Sequence, residues 1–259
     1  MNAARAPWTR APAESWPVRI AAVVMVVDAL LLIAHVLHRS GAVLDRDGSR
    51  LLPFRRAALW NGGMDGSLLE LFGLLQLGAA AALLLWTGLR DRTHHVLAGW
   101  GGVLLLVAAD DLFRIHERVG ARFALDRLVP SLGATTAQEI GGLAFWAVSG
   151  LVLVGGLVHL HRGSDAFSRS ASWTLLATVT PFVLVAVGYV LAGAVLPGRL
   201  SGSGGEVAAQ LRVTVKLLTM TMLLIQGMWS CTAIPGSRTS RSGPTPPDST
   251  SPRTAPLRC

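Results

Sequence analysis

The stretch HVLAGWGGVLLLVAADDLF, His95 to Phe113, decides the fold, because it is apolar over almost the length that a bilayer-spanning helix requires. Working outward from it, five further runs have similar length and composition. They are Val18 to His38, Leu68 to Leu89, Ile140 to His161, Trp173 to Leu196 and Ala208 to Cys231. The sequence therefore predicts an all-α, polytopic membrane protein, a bundle of about six transmembrane helices.

Composition agrees with this class of protein. Hydrophobic residues make up 51% of the chain, charged residues only 15%, and the mean hydropathy is +0.50. A soluble domain of this size would be far more polar. We predict three regions: a cytoplasmic N-terminal segment over residues 1–17, a six-helix transmembrane domain over 18–233, and a disordered tail rich in Ser, Thr, Pro and Arg over 234–259.

The charge balance does not indicate nucleic-acid binding. Although the net charge is +8, the basic residues are spread over loops and form no basic helix face. Lys216 is the only lysine, an arginine bias that suggests a GC-rich, bacterial coding sequence. The lipid bilayer is the expected partner; protein partners cannot be inferred, and a homo-oligomer stays open.

Arginine positions favour a plasma-membrane protein with both termini in the cytoplasm. We call the face that carries both termini side B and the opposite face side A. Arginines of side B lie in short loops close to helix ends, whereas those of side A lie in longer loops among most of the acidic residues. Four tryptophans fall at the side B ends of the spans, as an interfacial belt should: Trp16, Trp86, Trp173 and Trp229.

Three local features carry predictions of their own. Leu51 to Trp60 suits either a short helix on the membrane surface or a plain loop. Pro181 should bend its span, with Thr178 and Thr180 able to occupy freed carbonyls. Small residues should allow close helix packing: Ala98 with Gly102, Gly188 with Ala192, and Gly141, Gly142, Gly150, Gly155 and Gly156.

A polar stretch, Asp110 to Glu117, follows the deciding run and places five ionisable side chains at the end of an apolar helix. At about 100° per residue, Asp110, Arg114 and Glu117 would share one stripe of that helix. Asp110 and Arg114 are four residues apart, so the charges could simply neutralise each other at the interface. A structural role and a functional role both remain open here.

Ionisable groups in other spans also approach side A and could converge on one cavity. Asp28 lies about 15 Å into its span, near the bilayer centre, where an unpaired charge is costly. Lys216 lies inside the last span and could pair with Asp28 or with Asp110 and Asp111. These four residues and Arg114 are our candidates for a proton or ion route, although a structural salt bridge would explain them equally well.

A second set of residues could bind a metal ion. Its members are hard or borderline donors suited to a divalent metal such as zinc: His35, His38, Asp111, His116 and Glu117. Their spacing matches no diagnostic metal motif, and two histidines at an interface are more often simple hydrogen-bonding groups. No catalytic residues can be assigned.

Three functions therefore remain open. The first is transport or proton/ion coupling through the acidic and histidine cluster. The second is a membrane-embedded, metal-dependent hydrolase acting on lipid-like substrates. The third is a non-catalytic membrane interaction or assembly protein whose charges hold helices together. We favour the first, because the sole lysine lies within a span that faces several acids.

Overall fold

The computed structural model describes residues 16–40, 56–123, 134–195 and 203–233, and within these ranges the regular structure is entirely helical. Six of the helices are long and apolar enough to cross a membrane. They are α1 (Trp16–Ser40), α3 (Leu68–Arg90), α4 (His95–Phe113), α6 (Ala134–Arg162), α7 (Ala166–Val195) and α8 (Ser203–Ala233). Two shorter helices are α2 (Ala57–Trp60) and α5 (Ile115–Arg122), and a 3₁₀ turn, Arg92–His94, joins α3 to α4.

The six predicted spans are confirmed as helices, and most of the helices extend beyond the apolar runs. For example, α7 begins at Ala166 rather than at Trp173. Hydrogen bonding continues a helix past the apolar run when a capping residue such as Asp165 is available. Pro17, which we assigned to the N-terminal segment, lies in the first turn of α1, where its missing N–H costs nothing.

Several predictions fall partly or wholly outside the described residues. The tail over 234–259 and the N-terminal segment up to residue 15 lie outside them. So do residues 51–55 of the predicted surface helix or loop. Its described end forms the single turn α2, Ala57–Trp60.

Helices α3 and α4 form a hairpin in which the two backbones touch. A Cβ atom on Gly88 would lie 2.2 Å from the backbone nitrogen of Ala98, and one on Gly101 would lie 2.7 Å from that of Leu85. Only glycine permits this approach, and close backbone packing is what associates helices where lipid removes the hydrophobic driving force. The glycine that makes this contact is Gly101. Gly102, which we predicted to pack against a neighbouring helix, faces open space.

Helix α8 lies against the hairpin and completes the core. On α3, Gly73 makes room for the Met220 thioether, and farther along, Gly227 of α8 lies beside the Ala80 backbone. Buried apolar side chains from four helices fill the space between: Leu77, Leu84, Leu97, Trp100, Leu104, Leu175, Leu223 and Met228. Helix α1 packs on α8 and α3 through Leu31 and Leu32.

Helices α6 and α7 are more exposed, and the predicted small-residue contacts on them are mostly absent. Gly150, Gly155, Gly156 and Gly188 have no heavy atom near the position a Cβ would take, whereas Gly141 packs against α5. The α7 threonines also behave differently from our prediction. Thr178 and Thr180 bond the carbonyls of Thr174 and Leu176, while the carbonyl freed by Pro181 belongs to Ala177.

Candidate functional site

A cleft near the side A end is lined by Lys216 and Glu70, and Asp111 lies next to it, paired with the lysine. The Lys216 ammonium donates to Asp111 Oδ2 at 2.5 Å, and both side chains are about one-quarter exposed, 25% and 24%. Glu70 lines the same cleft, and its carboxylate accepts the backbone N–H of Gly66 at 2.6 Å. The cleft is small and otherwise mostly apolar, with Gly62, Leu69, Val213, Leu217 and Met220 as its other lining residues. Of the partners predicted for Lys216, the structure selects Asp111.

Deeper in the bundle, three polar side chains from three helices form a closed ring. Gln76 Nε2 of α3 lies 2.8 Å from Asp28 Oδ1 of α1, and Thr221 Oγ1 of α8 lies 2.5 Å from Asp28 Oδ2. A third contact of 2.9 Å joins Thr221 Oγ1 to Gln76 Oε1. All three residues are buried, and the ion pairs formed among the described residues do not include Asp28.

The ring lies below the cleft along two helices at once. Thr221 is five residues beyond Lys216 on α8, and Gln76 is six residues beyond Glu70 on α3. With 1.5 Å of rise per residue, the two polar layers are roughly 8 Å apart along the helix axes. Carboxylates therefore occupy two successive depths beside α3 and α8, with Glu70 of α3 and Asp111 of α4 in the upper layer and Asp28 of α1 in the lower one.

The predicted stripe of Asp110, Arg114 and Glu117 is wrong, because the helix breaks at Arg114. This residue has φ of 50° and ψ of 46°, a left-handed conformation that L side chains rarely adopt, and it separates α4 from α5. Its guanidinium pairs with Asp65 instead of Asp110. Both members of that pair are about half exposed.

Asp110 stabilises the break. Its two carboxylate oxygens accept the backbone N–H of His116 at 2.8 Å and the indole N–H of Trp146 at 3.1 Å. His116 Nδ1 lies 2.7 Å from the same carboxylate, and no described residue bonds Nε2. Among the described residues, His116 therefore has one ring nitrogen bound to a carboxylate and the other without a partner, as in both general bases and metal ligands.

Helix α5 is pressed against α6, which fixes this pair in place. A Cβ on Gly120 would lie 2.3 Å from the Gln138 carbonyl oxygen, and one on Gly142 would lie 3.2 Å from the His116 ring. The glycines therefore bring His116 directly against the α6 backbone. Glu117, another predicted metal ligand, is partly buried on α5.

The predicted metal ligands do not assemble into one site in the described part of the chain. His35 Nδ1 lies 3.0 Å from the Gly62 nitrogen and 3.1 Å from the Trp60 carbonyl oxygen, while Asp111 pairs with Lys216. His38 is buried and also has a partner. Within residues 16–40, 56–123, 134–195 and 203–233, no three His, Cys, Asp or Glu side chains are grouped so that they could hold a metal ion.

A polar cluster at side B escaped the sequence prediction. His94 Nδ1 lies 2.8 Å from Ser168 Oγ and 3.2 Å from Asp165 Oδ1, and Asp165 caps α7 by accepting the Ser168 N–H at 3.0 Å. One nitrogen makes both contacts, so the three residues are not a serine–histidine–aspartate relay, which uses both. Although desolvation raises it, hydrogen bonds from Ser168 and His94 leave the pKa of Asp165 below its ordinary value.

Gln76 and Thr221 also escaped prediction as site residues. Gln76 could have been noticed, because it lies inside the apolar run Leu68 to Leu89, and a side-chain amide surrounded by hydrocarbon needs a hydrogen-bond partner. The partner itself depends on which helices pack together, and one sequence does not give that.

Comparison with known proteins identifies a family without assigning an activity. No curated protein matches the chain, and no solved structure matches it. Residues 17–219, which cover α1 from Pro17 onward, α2 to α7, and the first part of α8 up to Thr219, match one family over most of the sequence. The chain belongs to the family described as a domain of unknown function, DUF8692.

Proposed function

We propose that this protein crosses a bacterial plasma membrane six times, with both termini in the cytoplasm, and couples the movement of protons or small ions to carboxylates inside its helix bundle. The observation that supports this proposal most strongly is the burial of Asp28, which has no ion-pair partner among the described residues and lies below the cleft lined by Lys216 and Glu70. Ionisable groups at membrane depth are seldom kept without a use.

Exposed apolar side chains support the membrane assignment. Leu151, Val152 and Leu184 on α6 and α7 are 77%, 72% and 67% exposed. Water would disfavour such surfaces, whereas lipid chains would cover them. The four predicted belt tryptophans are all exposed; Trp86 stacks under the Arg90 guanidinium at 4.4 Å. This combination suits the membrane–water interface.

Two carboxylate layers at different depths support ion coupling. A proton or small cation entering from side A would meet Asp111, Lys216 and Glu70 first, and the ring of Asp28 next. In the upper layer Lys216 is paired with Asp111, whereas the lower layer can change its charge only by gaining or losing a proton or cation. A change at the lower layer would alter the contacts between α1, α3 and α8.

The test is a flux assay on purified protein in liposomes that contain a trapped pH-sensitive dye. A potassium diffusion potential should drive proton entry into wild-type vesicles. Asp28→Asn should remove that entry, whereas the matched variant Asp65→Asn, which alters an exposed carboxylate at side A, should keep it. Wild-type vesicles no more permeable than protein-free ones, to protons and to sodium or potassium alike, would exclude this function. Reporters fused after Cys259 would test the orientation.

An assembly protein is the second candidate, and one observation favours it. At the α4–α5 break the Asp110 carboxylate is held by His116 and Trp146, as a charge with a purely structural role should be. This alternative predicts no flux in the liposome assay. It also predicts that Asp110 variants lose stability and nothing else.

The metal-dependent hydrolase acting on lipid-like substrates can be tested directly. Elemental analysis of detergent-purified protein should compare wild type with His116→Ala and Asp111→Asn. A near-stoichiometric ion that both variants lose would replace the ion-coupling proposal with this enzyme. If the folded wild-type protein contains no such ion, the hypothesis of a metal-dependent hydrolase is excluded.

A further inference from the structure

We propose that Asp28 is protonated in this structure, and that the ring of Asp28, Gln76 and Thr221 is a proton-binding site. The inference deepens the ion-coupling function proposed above and rests on it for its biological meaning, since it names the proton as the species bound inside the bundle. The protonation state itself follows from the contacts.

Counting protons around the ring gives the argument. The three contacts are 2.8 Å between Gln76 and Asp28, 2.5 Å between Thr221 and Asp28, and 2.9 Å between Thr221 and Gln76. Each contact needs one proton between its two atoms. The threonine hydroxyl supplies one and the glutamine amide supplies one, but an ionised carboxylate supplies none. Three contacts therefore have only two protons unless Asp28 carries the third.

The count does not depend on how the glutamine amide is oriented. If the nitrogen and oxygen of Gln76 were exchanged, the amide would donate to Thr221, and its oxygen would face Asp28 Oδ1 with no proton between them. Thr221 Oγ1 also lies 3.1 Å from the Leu217 carbonyl oxygen. This carbonyl is a third oxygen that competes for the single hydroxyl proton, so it increases the deficit.

A neutral Asp28 satisfies all three side chains. Its O–H donates to Thr221 Oγ1, the threonine hydroxyl donates to Gln76 Oε1, and the Gln76 amide donates to Asp28 Oδ1. Each side chain then donates once and accepts once around the ring. An ionised Asp28 would leave two acceptor oxygens in contact, at a depth where an unpaired charge costs several kcal/mol.

Charged groups on the surrounding helices do not supply the missing compensation. On α1, His35 contacts Trp60 and Gly62; on α3, Glu70 accepts the Gly66 N–H; and on α8, Lys216 pairs with Asp111. None of the ion pairs formed among the described residues includes Asp28. A metal cation would need oxygens converging on open space, but both Asp28 oxygens already face ring partners.

Infrared spectroscopy of the detergent-purified protein at neutral pH tests the proposal. A protonated carboxylic acid has a carbonyl stretch above the amide bands, which carboxylates lack. We expect such a band in wild type, its loss in Asp28→Asn, and its retention in the matched variant Asp111→Asn. No band in wild type, or a band that Asp28→Asn leaves intact, overturns the proposal.

A second variant keeps the test valid if Asp28→Asn fails to fold. Thr221→Val is close in shape and removes one ring partner, so it should shift the band, while Thr221→Ser should restore its wild-type position. If Thr221→Val leaves the band unmoved, the band belongs to a carboxylic acid other than Asp28, and the proposal is overturned. The measurement uses no ion gradient, so a band without flux would separate failure of the coupling function from failure of this inference.

Discussion

Removing Lys216 should cost more stability than removing its partner Asp111. The two groups are 2.5 Å apart and about one-quarter exposed. Two unit charges 4 Å apart attract by about 4 kcal/mol at an effective dielectric constant near 20, before desolvation offsets part of it. We expect Lys216→Met to lower the free energy of unfolding by about 3 kcal/mol, because a carboxylate is left without its cation.

Glu70 makes the effects of the two variants unequal. It lines the same cleft, so in Asp111→Asn the lysine keeps a second carboxylate within electrostatic range. We therefore expect Asp111→Asn to cost only about 1 kcal/mol, as a more exposed pair would. In Lys216→Met, by contrast, Glu70 and Asp111 face each other without a cation, which adds repulsion.

Reversible unfolding in mixed micelles, followed by tryptophan fluorescence, measures both variants and the double variant. The coupling energy of Lys216 and Asp111 should be about 1–2 kcal/mol in this double-mutant cycle. The matched control is the pair of Arg114 and Asp65, whose side chains are 47% and 52% exposed and should couple by less than about 1 kcal/mol. Equal coupling in both cycles, or a larger loss for Asp111→Asn than for Lys216→Met, would refute this account of the cleft.

Three further predictions concern packing, capping and pH. Gly101→Ala should destabilise the protein by about 2–4 kcal/mol in the same unfolding assay, since its Cβ would meet the α3 backbone, whereas the neighbouring Gly102→Ala should be neutral or stabilising. Asp110→Asn should lower stability by about 1–2 kcal/mol and change Trp146 fluorescence, because the asparagine cannot accept all three of the hydrogen bonds; an unchanged emission would argue against the contact. Asp165 has a folded-state pKa below its ordinary value, so its contribution is complete above the ordinary value and is lost as the pH falls through the folded-state pKa; Asp165→Asn should therefore be less stable than wild type at neutral pH, and urea titrations should show that difference shrinking in acid.

The sequence could predict the helices because each depends on its own composition. A run such as Leu68 to Leu89 is long enough to span a bilayer whatever it packs against, and its helix, Leu68–Arg90, matches closely. The break at Arg114 could not be predicted in this way. A left-handed arginine has no local sequence signature, and it is held by contacts to Asp65 and Asp110 that form only in the folded chain.

Partner choice is the second limit. The position of Asp28 within its apolar run showed that an unpaired charge there would be costly. That position alone allowed either a lysine or a ring of polar side chains to stabilise it. The outcome depended on Gly73, which admits Met220 and so fixes how α8 lies against α3. That register brings Thr221 to Gln76 and Asp28, and it brings Lys216 to the level of Asp111. Such a register is a property of the packed helices, not of any single one.

The two polar layers have different consequences for helix α1. Losing Asp28 would leave the cleft above unchanged, since no member of the cleft belongs to α1. The ring, however, is the polar contact that ties the middle of α1 to α3 and α8, and it needs three protons to close. Loss of the Asp28 proton would place two oxygens in repulsive contact while leaving Leu31 and Leu32 packed nearer side A. Deprotonation should therefore loosen α1 from its middle toward side B. The expected sign is hydrogen exchange there that rises with pH more steeply than the intrinsic base-catalysed rate in wild type, and only with the intrinsic rate in Asp28→Asn.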